Sequence, residues 1–396
     1  MELAVIRLKD KCDRRIRGGH LWVYSNEIDT QATPLKNFSA GEQAVLESAN
    51  GKVVGVVYLN PNSLICGRLI TRDLKDFLGK DLLATRIRQA LVVRERLYAD
   101  SSYRLIYGES DDLPGLVVDR FNDVLVVQIG TVGMEQMKEE IVEALVEVLA
   151  PLAVVLKNDS QARRAEELPE YVEVVYGELP AAVMLTENDA RFEVPVLDGQ
   201  KTGWFYDHRE NRQRLKRYCQ GARVLDVFSY GGSWGIQAAI AGASEVVCVD
   251  SSPLALAYVA KNAAHNNVTE KVMTMKGQAN ACMRDLIDAG EKFDVVIIDP
   301  PAFIKKRKDI KVGEAGYKQL NQLAMRLLND NGILVSASCS MHLAKDRLND
   351  ILRAASRQVE KRCQILEQGG QGPDHPVHPA IVETEYLKAV FARIYR

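Results

Sequence analysis

The sequence predicts an α/β protein in which a small β-barrel or sandwich, a mixed α+β region and a doubly wound domain follow one another. Three observations carry this prediction. Short strand-like runs fill residues 1–73, a long helical segment and several strands occupy 74–190, and strands alternate with helices over 191–396. Such alternation is the pattern of parallel βαβ units. We therefore expect domain boundaries near residues 73 and 190.

The first region consists of short apolar runs separated by turn signals. Gln43–Glu47 and Val53–Tyr58 have strand composition, and the Asn50-Gly51 turn separates them. Asn60-Pro61-Asn62 ends the second run, because proline and asparagine favour turns. This pattern predicts a small β-domain of about 70 residues.

The second region begins with a helix predicted from about Asp76 to Tyr98. Its apolar residues follow the 3.6-residue period of a helix; they are Leu82, Leu83, Ile87, Leu91, Val92 and Leu97. Strands at 103–107, 116–118 and 124–129, a helix at 134–149 and further strands at 153–156 and 172–176 complete a mixed α+β domain. We find no catalytic signature in it.

The composition is that of an ordinary globular protein. The 396 residues carry a formal net charge of −2, with 47% hydrophobic and 26% charged residues. The amino terminus becomes charged too early for a signal peptide, and no apolar run approaches the roughly 18 residues that span a bilayer. We therefore expect a cytoplasmic protein without a membrane partner.

Cysteine and histidine spacing does not predict a metal site. Seven cysteines are scattered without a Cys-x-x-Cys pair, which favours free thiols in a reducing compartment. His375 and His378 have a His-x-x-His spacing, but prolines flank them and companion ligands are missing.

Basic residues cluster at 7–17, 201–223 and 305–311. A solvated surface is the ordinary explanation of any one cluster. Two of them, however, flank candidate catalytic motifs, which favours a phosphate-bearing substrate.

A glycine-rich turn between a buried strand and a helix predicts a cofactor site. The strand containing Asp226 runs into Phe228-Ser229-Tyr230-Gly231-Gly232, where glycine allows a ligand to approach the backbone and the free N–H groups of the helix. The next strand ends at Asp250, 24 residues after Asp226 and directly before Ser251. A carboxylate there can bind ribose hydroxyls, so we expect an adenosyl ligand. The absence of Gly-x-Gly-x-x-Gly favours S-adenosylmethionine over NAD, and a helix-capping role for Asp250 remains an alternative.

An Asp-Pro-Pro turn predicts a second part of the same site. The buried run Phe293–Ile298 leads to Asp299, and two prolines stiffen the turn that follows. A rigid acid there can hydrogen-bond the planar edge of a base and lies beside the cofactor site. The turn resembles that of amino methyltransferases, but Ala302 intervenes before the aromatic residue, which weakens an exocyclic-amine interpretation. The candidates for substrate binding are Pro300, Pro301, Phe303, Lys305 and Lys306.

Cys339 is the candidate nucleophile. It ends the strand-like run Ile333–Ser338, and the carboxyl edge of a parallel sheet is where open α/β folds bind ligands. Carbon 5 of cytosine is a poor nucleophile until a thiolate adds to carbon 6, whereas a nitrogen acceptor needs no thiol. A buried structural cysteine is the ordinary alternative. The position of Cys339 after a methyltransferase-like core favours covalent catalysis.

In this order, the motifs resemble those of the ribosomal large-subunit RNA cytosine-5 methyltransferase I group over essentially the whole chain. The segments that carry the resemblance are Gly19–Ser25, Tyr103–Asp111 with Leu113–Gly115, Lys201–Arg209, Phe228–Tyr230, Asp299–Pro301, Ser338–Ser340 and Asp374–Pro376. The resemblance implies an RNA-binding PUA-like domain at 1–73, a central domain at 74–190 and a Rossmann-like methyltransferase domain at 191–396. It further implies S-adenosylmethionine as cofactor and 23S ribosomal RNA as partner.

The resemblance also implies roles for four further residues. The segment Lys201–Arg209 would close over the cofactor, with Asp207 and Arg209 near its amino-acid end; a plain β-hairpin connector is the alternative. Gln278 stands where related enzymes often carry an acid for the adenine amino group. Glu383 is the candidate base for the carbon-5 proton, because related uracil-5 enzymes use a carboxylate near the carboxyl terminus, and a surface acid is its alternative.

Other functions remain open at this point. A guanine-N7 or exocyclic-amine RNA methyltransferase would not depend on Cys339, and a non-catalytic RNA-binding assembly factor would not bind S-adenosylmethionine. Thiolate chemistry suits uracil as well as cytosine. A homodimer is compatible with the sequence, which does not decide the oligomeric state.

Overall fold

The computed structural model describes residues 3–396, which form two compact units. The first unit holds the chain up to Val183 with Pro195–Trp204 and Pro373–Thr384, and the second holds Met184–Val194, Phe205–Gly372 and Glu385–Arg396. The expectation of a cytoplasmic protein used the charge pattern of the amino terminus. Two residues of that segment, Met1 and Glu2, lie outside the described residues. The three-domain division stays a prediction.

The amino-terminal part of the first unit is a five-stranded sheet in the order β1-β3-β4-β5-β2. Its elements are β1 (Ala4–Arg7), α1 (Asp13–Arg17), β2 (Trp22–Tyr24), β3 (Gln43–Glu47), β4 (Val53–Leu59) and β5 (Ile65–Thr71). β1 is parallel to β3, and the other neighbours are antiparallel. The two strand-like runs predicted here are confirmed as β3 and β4: alternate residues of β3 are buried, and Val54–Leu59 of β4 are buried on both faces.

A second five-stranded sheet, in the order β10-β9-β8-β7-β6, completes the first unit. Its elements are α2 (Lys80–Leu97), β6 (Ser102–Tyr107), β7 (Leu116–Phe121), β8 (Val124–Ile129), α3 (Val132–Gln136), α4 (Lys138–Leu149), β9 (Ala153–Asn158), α5 (Gln161–Ala165) and β10 (Tyr171–Gly177). Tyr58 from β4 joins this core, and its hydroxyl donates a hydrogen bond to the Pro114 oxygen at 2.8 Å. The two sheets of this unit are therefore packed together.

Helix α2 differs from the prediction at its start and in its buried face. It begins at Lys80, because Gly79 has the extended conformation φ −166°, ψ 178°. The buried residues include Leu83, Ile87 and Arg94, whereas Val92 is exposed. Arg94 occupies the core because both carboxylate oxygens of Asp111 accept bonds from its guanidinium group.

The second unit is built on a seven-stranded sheet in the order β15-β14-β13-β16-β17-β19-β18. Its strands are β11 (Val183–Glu187), β12 (Ala190–Val194), β13 (Arg223–Val227), β14 (Glu245–Asp250), β15 (Val272–Lys276), β16 (Phe293–Ile298), β17 (Leu328–Ser338), β18 (Arg362–Gly369) and β19 (Lys388–Tyr395), of which β11 and β12 form a separate two-stranded sheet. Its helices are α6 (Arg209–Leu215), α7 (Ser233–Ile240), α8 (Pro253–His265), α9 (Ala279–Asp288), α10 (Ile310–Leu327) and α11 (Lys345–Gln358).

Strands β13–β17 are parallel, as the alternation of strands and helices predicts. The strand β19 is antiparallel to both neighbours and departs from that pattern. The chain order reverses beside β13, which has β14 on one side and β16 on the other. Such a switch point opens a ligand crevice at the carboxyl ends of the strands, where Asp250, Asp299 and Cys339 lie. In the described part of the chain, no helix combines the length and the apolar character that a membrane crossing requires.

Candidate active site

The loop after β13 has a backbone held in an unusual conformation. Phe228 and Tyr230 have positive φ angles of 68° and 49°, and Gly232 has 79°. Left-handed backbone is costly for residues other than glycine and is concentrated at ligand sites. The N–H groups of Phe228 and Ser229 both donate to the Val249 oxygen at 3.0 Å, so β14 holds the loop in this shape.

Asp250 lies at the end of β14 and supports the same loop. Its Oδ2 accepts the Tyr230 N–H at 3.0 Å, and its Oδ1 accepts the Ser252 N–H at 2.9 Å. The cap of α8 is Ser252, whose hydroxyl oxygen accepts the Ala255 N–H at 3.2 Å. Asp250 therefore orders the turn while its half-buried carboxylate keeps further acceptor capacity, and Ser251 beside it is exposed.

Asp226 is buried below the loop. Its Oδ2 accepts the Gly235 N–H at 2.9 Å in the first turn of α7. The pKa of Asp226 is raised from 3.8 to about 7, chiefly by burial. The negative charges of Asp299 and Asp250 also raise this pKa, whereas the Gly235 hydrogen bond and Arg212 lower it. Among the described residues, neither its Oδ1 nor the Ser229 hydroxyl has a hydrogen-bond partner, although both atoms are buried.

These features fit the binding of S-adenosylmethionine. A loop held open by Gly232, the amino end of α7 and two buried polar atoms without protein partners lie beside the Asp250 carboxylate. Gly231 is buried within the loop. Gln278 is exposed at the residue that precedes α9, after β15, so it lies at the carboxyl edge of the sheet. Its contact with adenine stays a prediction.

The predicted cofactor-closing segment is divided between the two units. Lys201–Trp204 belongs to the first unit, and Asp207 and Arg209 belong to the second. Both are buried. The Tyr386 hydroxyl donates to Asp207 Oδ2 at 2.5 Å, and the Gly372 N–H donates to the Asp207 oxygen at 3.0 Å. Their proximity to the amino-acid end of a cofactor stays a prediction.

The Asp-Pro-Pro turn holds a carboxylate between two ring nitrogens. Oδ2 of Asp299 accepts the Trp234 indole N–H at 3.2 Å, and Oδ1 lies 3.2 Å from His208 Nε2. Pro300 is buried and Pro301 is exposed. The Trp234 indole thus fixes one oxygen of the carboxylate.

The sequence analysis missed the role of His208. The Asn211 amide is oriented by two contacts, since its Nδ2 donates to the Gly370 oxygen and its Oδ1 accepts from Arg214. The same Nδ2 lies 3.1 Å from His208 Nδ1, which must therefore act as an acceptor. The Nε2 of His208 lies 3.2 Å from Asp299 Oδ1 without the geometry of a hydrogen bond. Only the position of His208 beside Asp207 in a recognised motif could have suggested it.

Cys339 directly follows β17 and is half-buried, between two serines that are fully buried. Tyr317 of α10 binds both flanking hydroxyls, that of Ser338 and that of Ser340, at 2.9 Å. The Ile304 N–H donates to the Ser340 hydroxyl at 3.1 Å. The Cys339 Sγ lies 3.9 Å from the Pro300 oxygen, so the structure brings the two predicted motifs together.

The other six cysteines have a different environment. Burial raises the pKa of each of these thiols above its usual value, to about 12 for Cys66 and Cys219 and about 11 for Cys363. Protonated thiols are inert in addition reactions. Burial thus disfavours the thiolate form of these six cysteines.

The candidate substrate residues extend from the Asp-Pro-Pro turn. The Phe303 ring packs 4.9 Å from the Tyr317 ring and is half-buried, whereas Lys305 and Lys306 are exposed. The basic cluster at 201–223 is different, because Arg212 is buried against Glu187 and Arg223 pairs with Glu245. These two arginines therefore stabilise the fold and do not present a phosphate-binding face.

Glu383 belongs to the first unit, whereas Cys339 belongs to the second. It is exposed in the short turn Val382–Thr384, beside Ile381, which packs in the amino-terminal core. The nearby His375 bonds Asp374 at 2.9 Å, and Asp374 accepts the Arg104 N–H at 3.0 Å. That motif thus holds the first unit together.

Comparisons with known proteins place this architecture in a family. Residues 6–72 match the family model of a PUA-like domain, and residues 210–364 match the model described as conserved hypothetical protein 95. Ribosomal RNA large subunit methyltransferase I of Shewanella frigidimarina is 35% identical over 395 residues, covering 98% of this chain and 99% of the relative. The protein of the same name from Aliivibrio fischeri is 34% identical over 387 residues, covering 96% and 97%.

Solved structures share the fold over the whole chain. A methyltransferase solved in complex with SAH aligns with a TM-score of 0.84 at 20% identity, covering 99% of this chain and all of that one. A protein from Streptococcus mutans, described as SAM-dependent, aligns with a TM-score of 0.82 at 20% identity, with the same coverage. The predicted fold class is confirmed, and the prediction of an S-adenosylmethionine-dependent methyltransferase is confirmed at the level of the family. By its similarity to curated relatives over nearly its whole length, the chain belongs to the ribosomal RNA large subunit methyltransferase I family.

Proposed function

We propose that this protein methylates carbon 5 of a cytosine in 23S ribosomal RNA through a covalent adduct with Cys339. The observation that carries the proposal is the 3.9 Å approach of the Cys339 Sγ to the Pro300 oxygen. It places a half-buried thiol at the Asp-Pro-Pro turn, on the edge of the sheet that also holds the cofactor loop. The substrate class is supported by the names of the relatives, which are ribosomal RNA large subunit methyltransferases.

The chemistry follows from the electronic structure of cytosine. The Cys339 thiolate adds to carbon 6 of a base flipped out of its stack, which forms a carbon–sulfur bond and makes carbon 5 enamine-like. S-adenosylmethionine would supply the electrophilic methyl group that carbon 5 takes up, and S-adenosylhomocysteine would be the leaving group. A base then removes the carbon-5 proton, and the returning electron pair expels the thiolate.

The remaining residues take supporting roles in this proposal. Asp299 accepts a hydrogen bond from the exocyclic amine of the base, because the Trp234 indole N–H holds its carboxylate in place. Pro300, Pro301 and Phe303 shape the base pocket. Lys305 and Lys306 meet phosphates.

The cofactor is held by the second unit in this proposal. The loop residues Phe228–Gly232 and the Asp226 carboxyl contact its amino-acid portion, together with Asp207 and Arg209. Asp250 and Ser251 contact the ribose, and Gln278 accepts from the adenine amino group.

The test is a methyl-transfer assay on ribosomal RNA from cells that lack this protein, with radiolabelled S-adenosylmethionine and nucleoside analysis. We expect 5-methylcytidine with the wild type and none above background with Cys339→Ala. The matched control is Cys363→Ala, because this half-buried thiol has a raised pKa of about 11 and should be dispensable.

Other outcomes separate the alternatives. Methylated guanine or adenine, or full activity of Cys339→Ala, would establish the guanine-N7 or exocyclic-amine function instead. Absence of S-adenosylmethionine binding by calorimetry would indicate a non-catalytic assembly factor.

A further inference from the structure

Lys388 is a buried lysine that the proposed chemistry does not use. It is the first residue of β19 and is 8% exposed. Its Nζ donates hydrogen bonds to the Ser340 oxygen at 2.6 Å and to the Tyr386 oxygen at 2.8 Å. Within residues 3–396, no carboxylate lies within ion-pair distance of this nitrogen. Burying an ammonium group without a counter-charge is costly, so its position calls for a physical reason.

The strand register explains how Lys388 reaches the turn that carries Cys339. Lys388 pairs with Ser338 in the antiparallel ladder between β17 and β19. Cys339 is the first residue after β17, and the Ser340 oxygen that accepts the Lys388 hydrogen bond is one residue further. The ammonium group is thus bonded to the turn that carries the nucleophile, on a strand whose antiparallel direction the sequence pattern did not predict.

The charges around Lys388 are few. Burial lowers the pKa of Lys388 to about 8, whereas the negative charges of Cys339 and of exposed Glu385 raise it. From α10, Tyr317 faces the same cysteine, and burial raises the pKa of its phenol, so it stays neutral. At neutral pH the ammonium form of Lys388 therefore predominates. Lys388 binds the turn that contains Cys339, so a Cys339 thiolate would supply its counter-charge.

We propose that Lys388 is a positioning residue for Cys339, whose protonated side chain holds the turn after the cysteine and stabilises the thiolate by its positive charge. This inference rests on the proposed function, in which the thiolate adds to carbon 6. When the thiol ionises, its proton leaves to solvent and Lys388 keeps its own. A nearby cation favours the thiolate that attacks.

The test measures thiol reactivity and does not require methyl transfer. Alkylation of Cys339 by iodoacetamide is followed across pH 5.5–10 by mass spectrometry of its peptide, in the full-length wild type and in Lys388→Met. We expect the alkylation midpoint to rise by ~1 pH unit in Lys388→Met, as for the loss of one nearby cation. Lys388→Arg, which keeps the charge, should retain the wild-type midpoint. In the methyl-transfer assay, Lys388→Met should lower kcat without a matching change in KM.

Lys361 provides a matched control. Its Nζ also donates to two backbone oxygens, of Met325 at 2.7 Å and Leu328 at 2.9 Å, and burial lowers its pKa too. It binds the opposite end of β17, so Lys361→Met should leave the Cys339 midpoint unchanged. If Lys388→Met does not fold, Lys388→Gln supplies a neutral donor, and the same upward shift is expected.

The outcomes separate this inference from the proposed function. An unchanged Cys339 midpoint in the folded neutral variant, together with an inactive Cys339→Ala, would overturn the role of Lys388 alone. An active Cys339→Ala would overturn the covalent mechanism whatever the alkylation profile.

Discussion

At the scale of single residues, Asp226 is predicted to make stability depend on pH. Its pKa is 3.8 in the unfolded chain and about 7 in the fold, chiefly because burial disfavours the charged form. The folded state therefore binds the proton more tightly. The contribution of this group to the free energy of unfolding is up to about 4 kcal/mol. It is fully present below pH 4 and is lost as the pH rises to about 7.

The variant Asp226→Asn tests this prediction, because an amide oxygen can still accept the Gly235 N–H. We expect the variant to be more stable than the wild type at pH 8 and nearly equal to it at pH 4, by thermal or urea unfolding at both values. Asp294→Asn is the control, since Asp294 is a half-buried strand carboxylate that also accepts a backbone N–H, from Arg223. A stability difference for Asp226→Asn that does not vary with pH would contradict the assignment.

Also at this scale, His208 shows why residue type alone does not identify function. Histidine can donate or accept at either nitrogen. The acceptor role of its Nδ1 follows from the Asn211 amide, and the orientation of Asn211 follows from Gly370 and Arg214. Asn211 and Gly370, which orient this contact, are 159 positions apart in the chain.

At the scale of secondary-structure elements, the contact of α10 with the end of β17 determines where the nucleophile lies. Tyr317→Phe removes the hydroxyl that binds the Ser338 and Ser340 side chains. Because the buried Ser338 hydroxyl then loses the acceptor of its proton, we expect a loss of about 1–3 kcal/mol in the free energy of unfolding. Methyl transfer should fall as well, since the Cys339 turn loses its support.

Urea unfolding and the methyl-transfer assay measure the two effects of Tyr317→Phe. Tyr395→Phe is the control, because the Tyr395 hydroxyl makes no hydrogen bond in the described part of the chain. Wild-type stability and activity in Tyr317→Phe would show that packing of the ring alone holds the turn.

At the scale of the whole molecule, the proposed base Glu383 belongs to the first unit and the proposed nucleophile Cys339 to the second. The carbon-5 proton must leave before the thiolate is expelled, so a missing base should arrest the reaction at the covalent adduct. We expect Glu383→Gln to accumulate a protein–RNA adduct on denaturing gels and to slow product release by roughly 100-fold or more.

Glu178→Gln is the control for Glu383→Gln, because Glu178 is another exposed carboxylate of the first unit. Normal turnover of Glu383→Gln without an adduct would assign the proton to another base. The Cys339 mechanism would be unaffected by that result.

Local chemistry was sufficient to predict much of the fold and part of the site. Strands such as Gln43–Glu47 and Glu245–Asp250 follow from apolar runs and turn residues; the first has the predicted bounds, and the second ends at Asp250 as predicted. Glycine, proline and acid at strand ends predicted the cofactor loop and the Asp-Pro-Pro turn, because the carboxyl ends of parallel strands must meet at one edge. The prediction of α2 was less accurate, since burial of Arg94 depends on a distant partner, Asp111.

By itself, the sequence determined the fold class, the family and the positions of Asp226, Asp250, Asp299 and Cys339 at strand ends, because these depend on local periodicity and motif order. Only the tertiary structure decided that Tyr317 binds the serine beside Cys339, that His208 lies beside Asp299, that Lys388 binds the Ser340 oxygen, and that Glu383 belongs to the other unit. The physical reason is that hydrogen bonds and charges act through space. The antiparallel entry of β19 beside β17, which brings residue 388 to residue 340, leaves no periodic signal in the chain.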